Sequence, residues 1–526
     1  MNHLSAMPGS DVSQVQQHGR DVKSFYHLSR CSLADRACNG TACFVARHLN
    51  PHRWAEAKEQ NPRVYCLGQC YAGPAIANGN THRPNIQVRS REGIVLGRLA
   101  NGGARTLAGY RTQGGYRAFE KMLSLAPDDI IRAIEASGLR GRGGAGFPTG
   151  RKWRAVARAQ GSPRPIPLPI GWGEGGRRPG EGHPCEKFII ANADEGDAGA
   201  YIDRFLLEDD PFALIEGMTI AACAVGATRG WIYLRSEYPA ARPILENALT
   251  EARHAGLLGK NVLGAGRSFD IEVHVGGGSY LCGEETALIR SLEGKRPEAM
   301  ARPPYATEHG LFGRPTVINN IETLANVPWI VEHGSENYRF LGFSKSRGTK
   351  VVSLNSLFRR PGLYEIEFGV TVRHIVEELG GGLRDGAKFK GVISGGPLAG
   401  IIPPHLLDTP FGFEELRAIG ASVGHGGIVA FDEHTSIAAL LQHVFAFGAY
   451  ESCGKCTPCR LGSRRVERVF TDIVTDGAAN YWDAQECEKI IAALKWTSLC
   501  GLGTGLAEFA ESALRHYGKE LERCWR

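Results

Sequence analysis

The chain has 526 residues, 43% of them hydrophobic, and a formal net charge of +6 at pH 7. Its length predicts about three or four domains, and its hydrophobic content is sufficient for several hydrophobic cores. The basic excess is spread without the Lys/Arg blocks of a nucleic-acid-binding arm, and no stretch reaches the roughly 18 to 20 uncharged apolar residues of a membrane span. The N-terminal residues also lack the apolar segment of a secretory signal, so we expect a cytoplasmic protein without nucleic-acid partners or a membrane span.

The first two segments of the chain differ in composition. Residues 1–20 are polar and are predicted to be a disordered tail. Residues 21–105 form a small module, in which "RACNGTACFVARHLN" is predicted as a loop entering a helix and "VYCLGQCYAGPA" as a strand ending in a loop.

The central segment, residues 117–335, is rich in glycine. Apolar strands ("KFIIANAD", "GWIYLRS", "FDIEVHVGGG") alternate with helical patterns such as "PFALIEGMTIAACAVGA", which predicts a largely parallel, layered α/β domain. Residues 161–184 interrupt this pattern with many prolines and glycines, and we predict an exposed insertion loop there.

The last two segments are also distinct. In residues 345–435, "TKVVSLNS", "GLYEIEFGVTVRHIVEELGG" and "FKGVISGGP" predict a small sheet with one helix. Residues 436–526 have a helical pattern throughout, which predicts an α-helical bundle.

Three cysteines in "ESCGKCTPCRLG" predict a metal centre. Cys453, Cys456 and Cys459 are spaced C-x2-C-x2-C, and thiols this close together in a reducing compartment are poorly placed to form disulfides. Tetrahedral zinc and a cubane iron–sulfur cluster both need four ligands, so Cys500 in "SLCGLG" is the expected fourth. The spacing alone leaves zinc and iron open.

A glycine-dense loop, "GLRGRGGAGFPTGRKW" at residues 138–153, suits an anion. Its backbone N–H groups can converge without interference from Cβ atoms, and Arg142, Arg151 or Lys152 can neutralise phosphate charge. The loop is neither a P-loop nor a dinucleotide fingerprint that follows a strand. We favour nucleotide binding over a merely tight turn.

Three further stretches carry polar residues at strand ends or helix starts. In "NADEGDAGAYIDR", Asn192, Asp194 and Glu195 stand at the carboxyl edge of a predicted strand, where α/β sheets bind ligands, and acidic groups there favour NAD over NADP. A solvated acidic loop is the alternative. In "GGGSYLCGEETALIRSLEG" and "GRPTVINNIETLANVP", paired carboxylates and paired amides recur, so these loops are predicted to be walls of one pocket.

Together these motifs resemble the NADH-oxidising flavin subunit of respiratory complex I and its soluble relatives, from about residue 117 to the C-terminus. The resemblance implies a multidomain α/β protein with an FMN-binding α/β domain, a ubiquitin-like (SLBB-type) domain and a helical bundle. It also implies that the bundle binds a [4Fe–4S] cluster through Cys453, Cys456, Cys459 and Cys500, which favours iron over zinc.

The resemblance also assigns the cofactor-binding residues. FMN is expected at Gly141, Arg142, Gly143, Gly144, Lys152, Asn192, Asp194, Tyr280, Gly283, Glu284, Asn319, Asn320 and Thr323. The nicotinamide coenzyme is expected to stack on the flavin and to contact Phe147, Glu195 and Glu285. No catalytic acid or base is expected, because hydride passes directly between nicotinamide and flavin.

The N-terminal cysteines resemble those of a thioredoxin-like [2Fe–2S] ferredoxin module, here fused to the flavin part. Cys38 and Cys43 are spaced C-x4-C, and Cys66 and Cys70 are spaced C-x3-C, with a short gap between the pairs. Zinc is the alternative ligand for these four thiols. The remaining cysteines are expected to be simple buried thiols: Cys31, Cys185, Cys223, Cys282, Cys487 and Cys524.

Residues 395–433 look most like the diaphorase (beta) subunit of soluble NAD-dependent formate dehydrogenases that contain molybdenum or tungsten. The expected partners are then the catalytic (alpha) subunit of such an enzyme and a further small iron–sulfur subunit. The alternatives are a diaphorase subunit of an NAD-reducing hydrogenase or of an NADH:quinone oxidoreductase. A zinc-stabilised scaffold is the non-enzymatic alternative.

Overall fold

The computed structural model describes residues 26–28, 32–77, 82–159, 186–264 and 266–525. The predicted tail at 1–20 and insertion loop at 161–184 lie outside the described residues, as do Cys31 and Cys185. The strands are β1 (Asn85–Val88), β2 (Phe188–Ala193), β3 (Arg229–Leu234), β4 (Asp270–Val275), β5 (Thr316–Asn320), β6 (Gly342–Phe343), β7 (Ser346–Arg347), β8 (Thr349–Leu354), β9 (Gly362–Glu367), β10 (Phe389–Ser394), β11 (Ile401–Ile402) and β12 (Gly427–Asp432).

The α-helices fall into three groups along the chain. Those before the central sheet are α1 (Thr41–Val45), α2 (Pro51–Glu59), α3 (Gly97–Ala100), α4 (Leu107–Thr112), α5 (Arg117–Met122), α6 (Pro127–Ser137) and α7 (Thr149–Arg158). Those of the central part are α8 (Ile202–Asp209), α9 (Pro211–Val225), α10 (Ala241–His254), α11 (Glu285–Leu292), α12 (Ala306–His309), α13 (Ile321–His333) and α14 (Ser335–Phe340). Those of the C-terminal part are α15 (Phe413–Ala418), α16 (Ile437–Glu451), α17 (Ser463–Asp476), α18 (Tyr481–Thr497) and α19 (Gly501–Glu522).

The central sheet is four-stranded and parallel, in the order β4–β3–β2–β5. Its middle strand β2 is almost entirely buried, as expected for a parallel strand that is covered on both faces. Helix α9, which follows the strand, is buried along its whole length and includes one carboxylate, Glu216. Glu216 accepts hydrogen bonds from the Tyr110 hydroxyl and from two backbone N–H groups. The predicted parallel, layered α/β domain is therefore confirmed.

The second sheet is mixed and six-stranded, in the order β1–β9–β8–β12–β10–β11. Its edge strand β1 comes from the N-terminal segment and runs parallel to β9. The buried carboxylate of Glu365 on β9 reinforces this junction, since it accepts the backbone N–H groups of Ile94, Val95 and Leu96. The sheet predicted for residues 345–435 therefore exists, but the sequence pattern did not indicate that an N-terminal strand completes it.

The N-terminal segment contains less regular structure than the sequence pattern predicts. The helix predicted after "RACNG" is present as α1. The strand predicted in "VYCLGQCYAGPA" is wrong, because only isolated bridges form there, between Cys38 and Val64 and between Ala37 and Ile76. Cys43 lies on α1 and Cys70 begins a short 3-10 helix, whereas Cys38 and Cys66 lie outside helices. The thioredoxin-like character of the segment stays a prediction.

The C-terminal region is the predicted helical bundle, formed by α16, α17, α18 and α19. Helix α16 begins at the N-cap Ser436, whose hydroxyl accepts the N–H of Ala439. A π-helical turn at Pro458–Gly462 leads into α17. Within the described ranges, no helix combines the length and apolar character needed to cross a membrane.

Candidate functional site: a flavin cleft beside a cysteine cluster

The order of the central sheet creates a ligand crevice. The chain runs outward from β2 through β3 to β4 and then returns to place β5 on the other side of β2. The strand order therefore reverses between β2 and β5, and α/β sheets bind ligands at the carboxyl ends of the strands at such a point. Asn192 and Asp194 lie at the end of β2, and Asn319 and Asn320 at the end of β5.

A cleft of about 590 Å³ opens at this point, and a recess of about 200 Å³ adjoins it. Both are bounded by Gly143, Asn192, Gly283, Glu284 and Asn320. Of the predicted cofactor-binding residues, twelve line the cleft, the recess or both: Gly141, Gly143, Phe147, Lys152, Asn192, Asp194, Tyr280, Gly283, Glu284, Glu285, Asn319 and Asn320. The structure thus brings four separate sequence motifs together around one space.

Arg142 does not face this space. Its guanidinium is buried and donates to the Tyr338 hydroxyl at 2.7 Å and to the carbonyl of Arg347 at 2.8 Å. Its backbone N–H donates to the Thr323 hydroxyl at 2.8 Å, so Thr323 also supports the glycine loop from behind. The Arg142 guanidinium and the Thr323 hydroxyl thus support the glycine loop, and the FMN contacts expected of these two residues stay predictions.

Glu195 and Gly144 also stand behind the pocket walls. The Glu195 carboxylate is fully buried and accepts the backbone N–H groups of Asp203 and Arg204 at the start of α8. Glu195 lines neither the cleft nor the recess, and its coenzyme contact stays a prediction. Gly144 has φ of 123° and pairs through its backbone with Gly424, which joins the glycine loop to the second sheet.

Charged groups on the cleft wall are paired with each other. Lys152 forms a close ion pair with Glu285 and also donates to the carbonyl of Ile318 at 2.9 Å. Glu284 caps helix α11, because it accepts two backbone N–H groups at 3.0 Å, and it forms a close pair with Arg302. The cleft therefore offers a lysine and an arginine that carboxylates already hold in place.

Sequence reasoning missed several lining residues. Asp197 lies in the same motif as Asp194, and its carboxylate accepts the Tyr280 hydroxyl at 3.1 Å, so the acidic run itself was the available signal. His425 lines the recess from the loop before β12, far away in sequence. Arg302 and Tyr305 line the cleft from an irregular segment without a recognisable pattern.

Burial shifts the acid–base behaviour of the recess. Desolvation raises the pKa of Asp194 well above its usual range, with Arg235 opposing this effect. Desolvation also raises the pKa of Asp197, although His425 and the Tyr280 hydroxyl oppose it. Burial thereby favours the uncharged carboxylic acid form of Asp194 and Asp197, which can both donate and accept hydrogen bonds on this side of the recess.

The residues present fit FMN. A Cβ at Gly143 would lie 2.8 Å from the Asn320 Cβ, and one at Gly196 would lie 2.5 Å from the Tyr280 ring, so only glycine leaves the space open. Adjacent amides at Asn319 and Asn320 can both donate to and accept from a heterocycle edge. The glycine loop and Lys152 offer N–H groups and a cation to a phosphate.

The C-terminal cysteines converge as a second centre. Cys459 lies on the π-helical turn, and Cys500 is the N-cap of α19. A Cβ at Gly503 would lie 3.4 Å from the Cβ of Cys459, which shows how closely the two ligand segments approach. Burial raises the pKa of Cys459 to about 11, and the nearby thiols of Cys456 and Cys453 add to this effect. A cationic cluster would counter such mutual repulsion between thiolates.

Cys500 also lines the flavin recess, together with Asn192 and Asn320. The predicted metal centre and the predicted flavin pocket therefore share one wall, and no further chain segment needs to lie between them.

The four N-terminal thiols form two close, buried pairs, Cys38 with Cys43 and Cys66 with Cys70. Each of these cysteines is at most 2% exposed, and the Sγ atoms of Cys66 and Cys70 are 3.5 Å apart. A hydrogen bond from Cys43 lowers the pKa of Cys38 to about 7, while the same contact raises that of Cys43. Cys66 has φ of 61°, a left-handed conformation that favours glycine and turns this loop tightly around the thiols.

Two family models match the chain. One, described as the Nuo51 FMN-binding domain, matches residues 134–329, and the other, described as the NADH-ubiquinone oxidoreductase-F iron-sulfur binding region, matches residues 439–524. These two regions coincide with the parallel-sheet domain and the helical bundle.

Curated relatives extend the match over most of the chain. The NADH-quinone oxidoreductase F 2 subunit of Rhizobium meliloti (strain 1021) is 41% identical over 416 residues, covering 79% of this chain and 93% of the relative. The HndC subunit of the NADP-reducing hydrogenase of Solidesulfovibrio fructosivorans is 39% identical over 408 residues, covering 78% of each chain.

A solved structure matches nearly the whole chain. A chain in the crystal structure of an NAD⁺-reducing [NiFe]-hydrogenase in the H₂-reduced state has a TM-score of 0.77 and 29% identity, covering 98% of this chain and 87% of that one. Together the comparisons confirm FMN, NAD and a [4Fe–4S] cluster as cofactors. The chain belongs to the FMN- and iron–sulfur-binding family of the NADH-quinone oxidoreductase F subunits.

Proposed function

We propose that the chain is a diaphorase subunit that exchanges hydride between NAD(H) and FMN and exchanges single electrons with iron–sulfur clusters. The observation that carries this proposal is the position of Cys500 on the wall of the recess that Asn192, Tyr280 and Asn320 also line. When bound, FMN accepts a hydride from NADH and releases electrons singly. A cluster ligand beside the flavin pocket gives these electrons a direct exit.

The residues of the cleft have separate roles in this proposal. Gly141 and Gly143 keep the backbone open for the phosphate, and Lys152 supplies positive charge. Phe147 is 51% exposed on the cleft wall, which leaves an aromatic face for the nicotinamide ring. Glu285 stands at the same wall and disfavours a coenzyme that carries a 2′-phosphate.

The proposed complex is an NAD-dependent formate dehydrogenase, in which the partner is a molybdenum- or tungsten-containing catalytic subunit and formate is oxidised to CO₂ as NAD⁺ is reduced. The resemblance of residues 395–433 to the diaphorase subunits of formate dehydrogenases supports this choice. An NAD-reducing hydrogenase is the second candidate, which the match over 98% of the chain to a hydrogenase structure favours. A further small iron–sulfur protein is compatible with either complex.

We also propose that the N-terminal segment is a thioredoxin-like module that binds a [2Fe–2S] cluster and that residues 345–435 form a ubiquitin-like domain. The first assignment is supported by the burial and close pairing of four thiols, those of Cys38, Cys43, Cys66 and Cys70. The mixed sheet around β8, β9, β12 and β10 supports the second.

The test uses the complex purified from its native source. The expected preparation is brown, contains FMN, iron, and molybdenum or tungsten, and reduces NAD⁺ with formate but not with H₂. Nickel in the preparation and reduction by H₂ alone would establish the hydrogenase alternative. A colourless preparation that contains zinc and no flavin would contradict the diaphorase assignment itself and favour the zinc-stabilised scaffold.

A further inference from the structure

A buried network of charges lies beneath the flavin recess. The imidazole Nε2 of His425 is 2.9 Å from Asp203 Oδ2 and 3.5 Å from Glu195 Oε1. The side-chain amide of Asn320 donates to the same Asp203 oxygen at 2.7 Å. All four side chains are at least half-buried, and the two carboxylates are fully buried. Of these residues, His425 and Asn320 also line the recess.

His425 is held firmly in this position by its backbone. Its N–H group donates to the carboxylate of Asp197, and its carbonyl accepts from Lys350 at 3.1 Å. Lys350 is itself fully buried in a close ion pair with Glu322. The preceding residue, Gly424, pairs with Gly144 of the glycine loop. The imidazole is therefore fixed between the second sheet and the flavin loop.

The surroundings favour the charged imidazolium. Burial alone would lower the pKa of His425, but the charge and hydrogen bond of Asp203, with added effects of Glu195 and Asp197, raise it to about 9. Burial, together with the neighbouring Asp203, raises the pKa of Glu195 to about 8. The neighbouring groups thus keep the His425 imidazole doubly protonated, and positively charged, at neutral pH.

The orientation leaves one edge of this imidazole available. Nε2 faces Asp203, Glu195 and, at 3.3 Å, the side-chain nitrogen of Asn320, whereas Nδ1 has no hydrogen-bond partner among the described residues. Because His425 lines the recess, an N–H at Nδ1 is a donor that can serve a ligand there, in addition to the Asn320 amide. The other titratable side chains of the recess include three that are acidic, Asp194, Asp197 and Glu284.

We propose that His425 is a redox-tuning residue, whose imidazolium, held by Asp203 and Glu195, stabilises negative charge on the reduced flavin and thereby raises the flavin reduction potential. The inference rests on the proposed function in one respect, namely that the flavin ring occupies the recess that His425 lines. A fixed charge near a flavin ring nitrogen is a recognised means by which proteins adjust the electronics of this cofactor.

The test compares wild-type and His425→Gln chains, each loaded with FMN. We expect the ratio of affinities for reduced and oxidised FMN to fall about tenfold, which for a two-electron couple is a potential lower by about 30 mV. The affinity for oxidised FMN, followed by quenching of flavin fluorescence, should change much less. The matched control is His443→Gln, which replaces a buried histidine stacked on Phe44 outside the recess and should leave the flavin potential unchanged.

A second measurement needs no variant. With ¹⁵N-labelled histidine, the wild-type chain should show a doubly protonated imidazole at pH 8, where histidines with ordinary pKa values are neutral. Absence of that signal, or a His425→Gln potential that is unchanged or higher while FMN stays bound, would overturn the role of His425. A wild-type chain that binds no FMN would instead contradict the proposed function.

Discussion

The backbone N–H of Tyr280 donates to the carboxylate of Glu451 across 3.0 Å. Tyr280 lines the flavin recess, and Glu451 is the last residue of helix α16, two positions before Cys453. One hydrogen bond therefore joins the wall of the flavin pocket to the segment that carries the cluster ligands. Any displacement of one centre relative to the other must strain or break this bond.

Glu451→Ala tests this connection. The substitution leaves the Tyr280 N–H without its acceptor in a half-buried place, which costs about 1–3 kcal/mol. We expect a lower Tm and faster release of FMN, followed by the rise of flavin fluorescence on heating. The control is Glu511→Ala, which removes a partly exposed pair with Lys495 and should cost at most about 1 kcal/mol. Equal behaviour of the two variants would show that the Tyr280–Glu451 bond does not stabilise the flavin pocket.

Glu285→Gln is expected to relax coenzyme choice. The change removes negative charge from the cleft wall and releases Lys152 from its ion pair, so a 2′-phosphate meets less repulsion and gains a cation. The ratio of kcat/KM for NADPH to that for NADH should rise about tenfold, which corresponds to about 1.4 kcal/mol. FMN content should stay at the wild-type level.

The control for coenzyme choice is Glu308→Gln. Glu308 belongs to α12 at the rim of the cleft but is exposed and does not line it. Its substitution should leave the preference for NADH unchanged. If Glu285→Gln also keeps the wild-type preference, Glu285 does not discriminate between the coenzymes.

Cys456→Ser tests whether the flavin site works without the C-terminal cluster. The variant should lose the C-terminal cluster signal in EPR yet keep NADH oxidation by ferricyanide, because that small oxidant can take electrons at the flavin. In the assembled complex, reduction of NAD⁺ by the partner's substrate should collapse. Cys487→Ser is the matched control, since Cys487 is a buried thiol of the same bundle outside the predicted ligand set.

Cys70→Ser should be milder than Cys456→Ser in the assembled complex. The N-terminal cysteines resemble ligands of a cluster that lies beside the main electron route in the family. NAD⁺ reduction is the measurement in both variants. A collapse in Cys70→Ser as severe as in Cys456→Ser would place the N-terminal centre on the main route.

The stability of the folded chain should decrease from neutral to alkaline pH. Burial raises the pKa of Glu365 to about 7 and that of Glu195 to about 8, from an ordinary 4.5. Burial lowers the pKa of His425, but the charge and hydrogen bond of Asp203 outweigh this effect and raise the pKa to about 9, from 6.5. Because the folded chain holds these protons more tightly than the unfolded chain, their contribution is full at low pH and is lost as the pH rises through 7 to 9.

The corresponding measurement is the Tm of the isolated chain between pH 6.5 and 9, with FMN and iron content checked at each pH. Glu365→Gln, which cannot ionise, should flatten the part of the curve near pH 7. A Tm that rises across this range would contradict the direction derived from these three groups.

Much of the site was predictable because its residues stand in contiguous motifs at the ends of strands. The alternation of strands and helices located β2, β3 and β4, and the adjacent amides of "GRPTVINN" indicated Asn320, which β5 places at the same edge of the sheet as Asn192. The direction of a side chain was not predictable in the same way. Arg142 lies in the glycine loop, yet its guanidinium turns to Tyr338 and Arg347, because those partners come from a distant segment.

His425 could not be predicted for a related reason. Nothing in "SVGHGG" indicates a ligand pocket, and the residue reaches the recess only because the loop before β12 packs on the glycine loop. The same holds for β1, whose pairing with β9 depends on residues more than 270 positions away in sequence. Local pattern determines an element, whereas contacts between distant elements determine where it lies.

The pairing of β1 with β9 has a practical consequence for dissecting this protein. A fragment that starts after residue 105 would lack β1 and would leave the backbone groups of β9 unpaired along an open sheet edge. Such an edge is a template for strands of other molecules, so the fragment should self-associate, even though the flavin cleft and the C-terminal cysteines are intact. The N-terminal segment thus covers the edge strand β9 in addition to holding its own four cysteines. The two parts are best expressed as one polypeptide.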